Sequence, residues 1–134
     1  MRLPKHTAIV VADGEILRLF RNVGDEAHLD LCPMPNPTFA PENGDSGSRH
    51  RSSAANPDDK RVGEDNFAAA SAVWLNREVL DKRINALVII ADPRTLGELR
   101  KHYKKPLQGV LMRELHKELA GHTVADIAEA VAHA

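Results

Sequence analysis

The chain has 134 residues, which fits one domain large enough to bury one substantial core. Its 18 Lys and Arg against 19 Asp and Glu give a net charge of −1, which excludes a global field that attracts nucleic acid or acidic membranes, so any such contact must be local. The single cysteine, Cys32, excludes an internal disulfide, and the lack of a signal-like or membrane-spanning apolar run predicts a soluble cytoplasmic protein without membrane contact.

Three short β-patterned segments open the chain and predict an antiparallel meander. They are residues 7–12, 15–21 and 27–32. Asp13 and Gly14 lie between the first two, and this pair favours a type I′ hairpin turn. Pro33 is predicted to end this part of the sheet.

A long polar segment follows the meander. Residues 33–65 have no apolar periodicity and contain several prolines and a Ser-rich tract. Loops of this length within a compact domain are uncommon and are usually functional or disordered. We expect this segment to be a loop within a single domain that spans residues 1–134.

Residues 66–84 have the spacing of the longest helix, with Asp65 or Asn66 as its N-cap. The predicted apolar stripe consists of Phe67, Ala70, Val73, Trp74, Leu80 and Ile84. The predicted outer face carries Ser71, Glu78, Asp81 and Lys82, in which Glu78 and Lys82 are spaced to pair.

The uninterrupted apolar run at residues 86–91 predicts a strand buried on both faces, placed beside the first strand at the centre of the sheet. Asp92 or Thr95 caps the helix after it. Residues 108–119 fit either a helix or a strand, and topology favours a strand to about Glu114 because the buried strand needs a second parallel neighbour. Thr123 opens a final helix.

The resulting element order is β-β-β-α-β-α-β-α. An antiparallel meander that leads into parallel strands through helical crossovers predicts an α/β fold with a ribonuclease-H-like mixed sheet and helices packed on the sheet.

Four stretches resemble one known family. They are residues 12–20, 89–100, 114–119 and 123–127. Together they resemble the bacterial host-attachment protein family, which is similar to the central domain of archaeal and eukaryotic peptide-chain release factors. The resemblance implies the same ribonuclease-H-like fold and a strand that closes at Glu114 and Leu115.

The release-factor likeness implies a functional loop after the third strand, where release factors carry a Gly-Gly-Gln motif that works at the peptidyl-transferase centre. The corresponding residues here are 43–51, which contain neither Gly-Gly nor Gln. The single Gln of the chain, Gln108, lies in another element. No catalytic residue and no peptide-release activity are therefore carried over.

The long loop contains the best candidate binding residues. They are Arg49, His50, Arg51, Lys60 and Arg61. Basic side chains on a polar segment can neutralise the phosphates of RNA, which points to RNA or a ribosome-associated partner. The competing interpretation is a solvated loop whose charge is offset by Asp45, Asp58 and Asp59.

A carboxylate cluster is the candidate catalytic site. In the expected fold, Asp13, Glu78 and Asp92 come from elements similar to those that hold two metal ions in ribonuclease-H-like nucleases. Each also has a local explanation as a turn residue, a helix-surface ion pair or a helix cap. The histidines show no zinc-binding spacing, so the sequence predicts no resident metal and no cofactor.

These candidate residues leave three possible functions. The leading one is a non-enzymatic binding module that contacts RNA or the translation machinery through its long loop. The alternatives are a metal-dependent nuclease that uses the carboxylate cluster and a protein-interaction factor indirectly required for host-cell attachment.

Overall fold

The computed structural model of the chain describes residues 2–37, 39 and 57–134, and for residues 57–61 the backbone alone. Its strands form one five-stranded mixed sheet in the order β3-β2-β1-β4-β5. The strands are β1 (Ala8–Ala12), β2 (Leu17–Asn22), β3 (Leu31–Met34), β4 (Leu87–Ala91) and β5 (Leu111–His116). The pairs β1–β2 and β2–β3 are antiparallel, whereas β4 runs parallel to both β1 and β5. The predicted mixture of an antiparallel meander with parallel strands is confirmed.

The two central strands, β1 and β4, are buried along their whole length. They pair in a register that ends with Ala12 beside Ala91. Because side chains alternate between the faces of a strand, Val10 and Ile89 enter the core on one side and Val88 enters the core on the other. The prediction of a central strand buried on both faces is confirmed.

Helices cover both faces of the sheet. They are α1 (Pro57–Leu80), α2 (Pro93–Arg100), α3 (Lys105–Val110) and α4 (Val124–Ala132). The first three pack on one face, where Leu75, Leu96 and Leu107 are fully buried. On the opposite face, α4 packs with the amino-terminal segment through Ile127 and Leu3. The predicted order lacked one element, the short helix α3 directly before β5.

The structure resolves the alternatives for the helix caps. Asp92, with φ −63° and ψ 158°, accepts the backbone N–H of Thr95 at 3.1 Å and is therefore the N-cap of α2. Pro93 occupies the first turn, where its missing N–H costs no helical hydrogen bond. Thr123 caps α4 by accepting the N–H of Asp126 at 3.1 Å, as predicted.

The third strand is present but begins and ends later than predicted, and it shares only Leu31 and Cys32 with the predicted segment. Residues 27–30 lie outside the sheet, and β3 includes Pro33 instead of ending before it. Polar side chains bind backbone N–H groups that a strand would use for pairing. Asn22 Oδ1 accepts the N–H of Asp30 at 3.0 Å, and Asp25 Oδ1 accepts the N–H of His28 at 2.8 Å. Pro33 is tolerated because β3 is an edge strand.

The predicted type I′ turn after β1 is also wrong. Neither Asp13 nor Gly14 has the positive φ that this turn requires. The connection spans residues 13–16, and Asp13 Oδ1 accepts the N–H groups of Glu15 and Ile16, each at 2.7 Å. These two side-chain hydrogen bonds pair backbone N–H groups of the connection that a tight hairpin turn would otherwise pair with backbone carbonyls.

Helix α1 begins at Pro57 and ends at Leu80, so the predicted loop is too long at its end and the predicted cap at Asp65 or Asn66 is wrong. Part of the predicted stripe is wrong as well, since Val73 is 60% exposed and Leu80 is 67% exposed. Ser71, placed on the outer face by the prediction, is fully buried and donates to the carbonyl of Phe67 at 2.8 Å. The observed core-facing line is Ala68, Ala72, Leu75 and Val79.

Residues 108–119 contain both predicted alternatives. Gln108 and Gly109 belong to α3, and the strand starts only at Leu111, later than predicted. The strand pairs parallel to β4, with a bulge at Met112 between the pairs Leu87–Leu111 and Val88–Arg113. The parallel neighbour required by topology is therefore present.

Among the described helices, none combines the length and the apolar composition that crossing a membrane requires.

Candidate functional site

The carboxyl-terminal ends of β1 and β4 bring two of the three predicted catalytic carboxylates to one edge of the sheet. Asp13 directly follows β1 and Asp92 directly follows β4. This is the edge at which open sheets with parallel strands usually bind ligands. Both carboxylates have structural partners, however: Asp13 accepts backbone N–H groups in its turn, and Asp92 caps α2.

The amino-terminal part of α1 lies against the same edge. Glu64 packs on Gly14 so closely that a Cβ added at Gly14 would lie 2.5 Å from Glu64 Cγ. One helical position later, Asp65 accepts a hydrogen bond from Arg94 Nη2 at 2.9 Å and links α1 to α2. This edge is therefore closely packed by α1.

Glu78 lies at the opposite edge of the sheet, near the start of β4. Its carboxylate accepts hydrogen bonds from Arg83 at 2.7 and 3.0 Å, so its partner is Arg83 instead of the predicted Lys82. The whole length of β4 separates Glu78 from Asp92, because Arg83 precedes that strand and Asp92 follows it. Within the part of the chain that the structure describes, no three His, Cys, Asp or Glu side chains are grouped to hold a metal ion. Asp13, Glu78 and Asp92 thus do not form one site.

An open depression of about 710 Å³ lies at the same edge of the sheet as Glu78, near the starts of β1 and β4. Its lining includes Pro4, Lys5, His6, Arg21, Val23, Met34, Arg83, Asn85 and Ala86. The Arg21 guanidinium donates to the carbonyls of His6 at 3.0 Å and Arg83 at 2.6 Å. Arg21 thereby fixes the two loops on either side of the depression and is not free to bind an anion with the same groups.

The described part of the chain includes only two of the five predicted binding residues. Arg49, His50 and Arg51 lie outside it, and Lys60 and Arg61 belong to the first part of α1, where the backbone alone is described. The assignment of Lys60 and Arg61 to a loop is wrong, since both are helical.

The described residue closest in sequence to the basic segment on its amino-terminal side is Phe39. Its ring lies 5.4 Å from the Phe67 ring and 6.5 Å from the Trp74 ring, measured between centroids. These tilted contacts attach Phe39 to α1.

A cluster that the sequence did not predict joins α2 to the edge strand β5. Glu114 accepts hydrogen bonds from the guanidinium of Arg100 and, at 2.8 Å, from the hydroxyl of Tyr103. Burial raises the pKa of Glu114, but its hydrogen bonds with Arg100 and Tyr103 outweigh that effect and hold the pKa below its usual range. Burial and the bond to Glu114 raise the pKa of Tyr103.

The sequence signal for this cluster is a polar residue in a strand. Glu114 lies directly before the buried Leu115 in β5, and it faces α2 only once residues 111–116 are assigned as a strand. The sequence of residues 108–119 also fits a helix, and in a helix it gives no reason to pair Glu114 with Arg100. The cluster consists of an ion pair and a phenol that bonds a carboxylate, and Arg100 Nε, Arg100 Nη2 and the Tyr103 hydroxyl all donate to Glu114.

Comparison with known proteins gives one family. A search of curated proteins found no match. The model of bacterial archaeo-eukaryotic release factor family 12 matches residues 6–131, which is nearly the whole chain. The resemblance to release factors seen in the sequence is thereby confirmed. The chain belongs to bacterial archaeo-eukaryotic release factor family 12.

Proposed function

We propose that this protein is a non-enzymatic module that binds RNA on the translation machinery through the basic segment at residues 49–61. The observation that carries the proposal is the family match over residues 6–131, which includes this segment. The strand order with β1 and β4 at the centre supports the further proposal that the fold is ribonuclease-H-like.

Peptide release is not part of the proposal. The segment at residues 43–51 has no Gly-Gly-Gln, and the single glutamine, Gln108, is an exposed residue of α3. Gln108 belongs to the crossover between β4 and β5, whereas the release-factor motif would follow β3. Binding without hydrolysis is the function that this residue content supports.

The described residues outside the basic segment, here called the body, carry charges that favour the basic segment as the contact with RNA. Several body cations are already neutralised by carboxylates. The pairs are Arg83 with Glu78 and Asp81, Arg94 with Asp65, Arg100 with Glu114, and Lys101 with Glu98. A neutralised cation releases few counterions from RNA, so it contributes little to phosphate binding.

The proposal is tested by measuring the affinity for fluorescein-labelled ribosomal RNA fragments at several salt concentrations. In the test variant, Arg49, His50, Arg51, Lys60 and Arg61 are all replaced by Ala. We expect weaker binding and a smaller salt dependence, with a loss of up to about 0.7 to 0.9 in the log–log slope for each phosphate contact removed.

A matched control removes five exposed cations from the body. They are Arg2, Lys104, Lys105, Arg113 and Lys117. Both variants lose positive charge, so a loss confined to the first variant identifies the segment and not net charge. An unchanged salt slope in the first variant, or an equal loss in both, would contradict the proposal. The indirect role in host-cell attachment stays a prediction, which infection assays of a deletion strain would test.

A further inference from the structure

The depression near the starts of β1 and β4 has the size and the lining of a small-molecule site. Its volume of about 710 Å³ lies within the range of roughly 300 to 1,000 Å³ that is usual for ligand pockets. Its apolar lining residues are Pro4, Val23, Met34 and Ala86, and its basic lining residues are Lys5, His6, Arg21 and Arg83. Among the described residues, no Asp or Glu lines it.

Two large apolar side chains at this depression are exposed to solvent. Val23, just after β2, is 44% exposed, and Met34, at the end of β3, is 37% exposed. A ligand with an apolar or aromatic part would remove both from water, which favours binding. The sulfur of a methionine also makes favourable contacts with aromatic rings.

Hydrogen bonds fix the walls of the depression. The Arg21 guanidinium links the amino-terminal segment to the loop before β4, since it donates to the carbonyls of His6 at 3.0 Å and Arg83 at 2.6 Å. The fully buried Asn22 donates through Nδ2 to the carbonyl of Pro4 at 3.3 Å. A site whose walls are already fixed loses little conformational entropy when a ligand binds.

The basic groups differ in how far carboxylates neutralise them. Arg83 binds both Glu78 and Asp81, so it adds no net positive charge. The basic lining residues without a carboxylate partner within 4.0 Å among the described side chains are Lys5, His6 and Arg21. Arg21 keeps its full charge because both of its partners are neutral carbonyls. This wall therefore attracts an anion.

His6 occupies a backbone position that suits glycine. Its φ is 74°, in the left-handed region that residues with a side chain rarely adopt. Its N–H donates to the carbonyl of Asn22 at 2.7 Å, which holds His6 in this conformation. Residues other than glycine that are kept in this region cluster at active sites and ligand clamps. A histidine at this point of the wall therefore fits a side chain that serves a ligand.

We propose that the depression binds a nucleoside monophosphate, either free or at the phosphorylated end of an RNA. The phosphate lies against Lys5 and His6, within the field of Arg21, and the base covers Val23 and Met34. A phosphate monoester carries a charge of about −1.5 to −2 at neutral pH, which matches the two unpaired cations Lys5 and Arg21. The site uses none of residues 49–61, so it is independent of the proposed RNA contact.

Titration of the ¹⁵N-labelled full chain with AMP, followed by amide chemical shifts, tests the proposal. We expect saturable shifts around residues 5–6, 21–23 and 83–86. AMP should bind at least about fivefold more tightly than inorganic phosphate or adenosine, because each of these has only one of the two recognised parts. A 5′-phosphorylated tetraribonucleotide is titrated in parallel. Tighter binding of this probe than of AMP identifies an RNA end as the source of the phosphate, and weaker binding identifies the free nucleotide.

Three variants separate binding from folding. Lys5→Ala should weaken AMP binding about fivefold without lowering the urea midpoint. His6→Gly relieves the left-handed φ, so it should raise the urea midpoint and yet weaken AMP binding about threefold. Met34→Ser should weaken the binding of AMP but not that of inorganic phosphate. The matched control is Lys104→Ala, an exposed lysine outside the depression, which should change neither quantity.

Several outcomes would overturn the proposal. They are no saturable shift at about 10 mM AMP, shifts confined to residues outside the depression, and AMP binding no tighter than that of inorganic phosphate. Equal AMP affinity in wild type, Lys5→Ala and His6→Gly would overturn it as well, and so would an equal loss in Lys104→Ala.

Discussion

The hydroxyl of Tyr103 donates a 2.8 Å hydrogen bond to Glu114 Oε2 and ties the end of α2 to the edge strand β5. Tyr103 is half-buried, and its ring packs against the core on the face that α1, α2 and α3 cover. Since Glu114 also binds Arg100, the edge strand β5 is held by one donor from the last residue of α2 and by a second donor three residues beyond it.

Replacing Tyr103 by Phe should lower the free energy of unfolding by about 1 kcal/mol, because the ring still packs but one hydrogen bond to a carboxylate is lost. Urea denaturation followed by circular dichroism measures the change. Lys117→Ala, an exposed substitution just beyond β5, is the control and should stay near the wild-type value. A Tyr103→Phe variant as stable as the control would show that the hydroxyl bond adds no net stability.

The lowered pKa of Glu114 gives a pH dependence with a defined sign. A carboxyl group whose pKa is lower in the folded state stabilises the fold above its unfolded pKa, and this contribution disappears as the pH falls through the folded pKa. Glu114→Gln should therefore be less stable than wild type at neutral pH, and the difference should shrink in acid. The comparison uses the free energy of unfolding of both proteins across the acid range; a difference that stays constant would contradict the assignment.

Phe39 should control the environment of Trp74, the single tryptophan of the chain. Phe39→Ala removes tilted ring contacts with Phe67 and Trp74, so we expect a red-shifted emission and a loss of roughly 1 kcal/mol of stability. Phe39→Leu retains apolar volume and should shift the emission less. Identical spectra for all three proteins would indicate that Phe39 leaves α1 in solution.

Two glycines should respond to alanine in opposite directions. A Cβ at Gly14 would collide with Glu64, so Gly14→Ala should destabilise the fold by about 1 to 3 kcal/mol. A Cβ at Gly97, inside α2, meets nothing within 4 Å, so Gly97→Ala should stabilise the fold by about 0.5 to 1 kcal/mol. Thermal denaturation measures both.

The collision at Gly14 has its own control. Combining Gly14→Ala with Glu64→Ala removes the Glu64 atoms beyond its Cβ, so the double variant should regain part of the lost stability. No recovery would show that the cost of alanine at Gly14 arises in the turn or from the Glu64 Cβ, which would lie 2.8 Å from the new Cβ and which the double variant retains.

The central elements could be predicted from sequence because burial on both faces leaves a strong pattern. Residues 86–91 are wholly apolar, and β4 is found there. The third strand could not be placed, because alternation at residues 27–32 is outweighed by side chains of Asn22 and Asp25 that bind the backbone. Such local bonds depend on geometry that periodicity does not encode.

The stripe of α1 was misplaced for a different reason. The helix has two apolar lines, one facing the core and one facing outward, and spacing alone does not say which is which. Alanines such as Ala68 and Ala72 carry a weak apolar signal, while the exposed Val73 and Leu80 carry a strong one.

The candidate site was predicted less completely than the fold. Parallel strands end together, so the sequence predicts a common edge for Asp13 and Asp92. The analogy with ribonuclease-H-like nucleases, which also selects Glu78, does not hold because Glu78 lies near the start of β4. The cluster around Glu114 required the pairing of β5, which the ambiguous pattern of residues 108–119 did not fix.

The two outer strands have a consequence for how the protein behaves in concentrated solution. A proline interrupts the donor groups of β3, and an extra residue at Met112 distorts the ladder of β5. Neither strand offers a regular template on which another chain could grow a cross-β fibril. Since fibrils could then start only from unfolded chains, we expect no amyloid that binds thioflavin during storage at high concentration under conditions in which the protein stays folded.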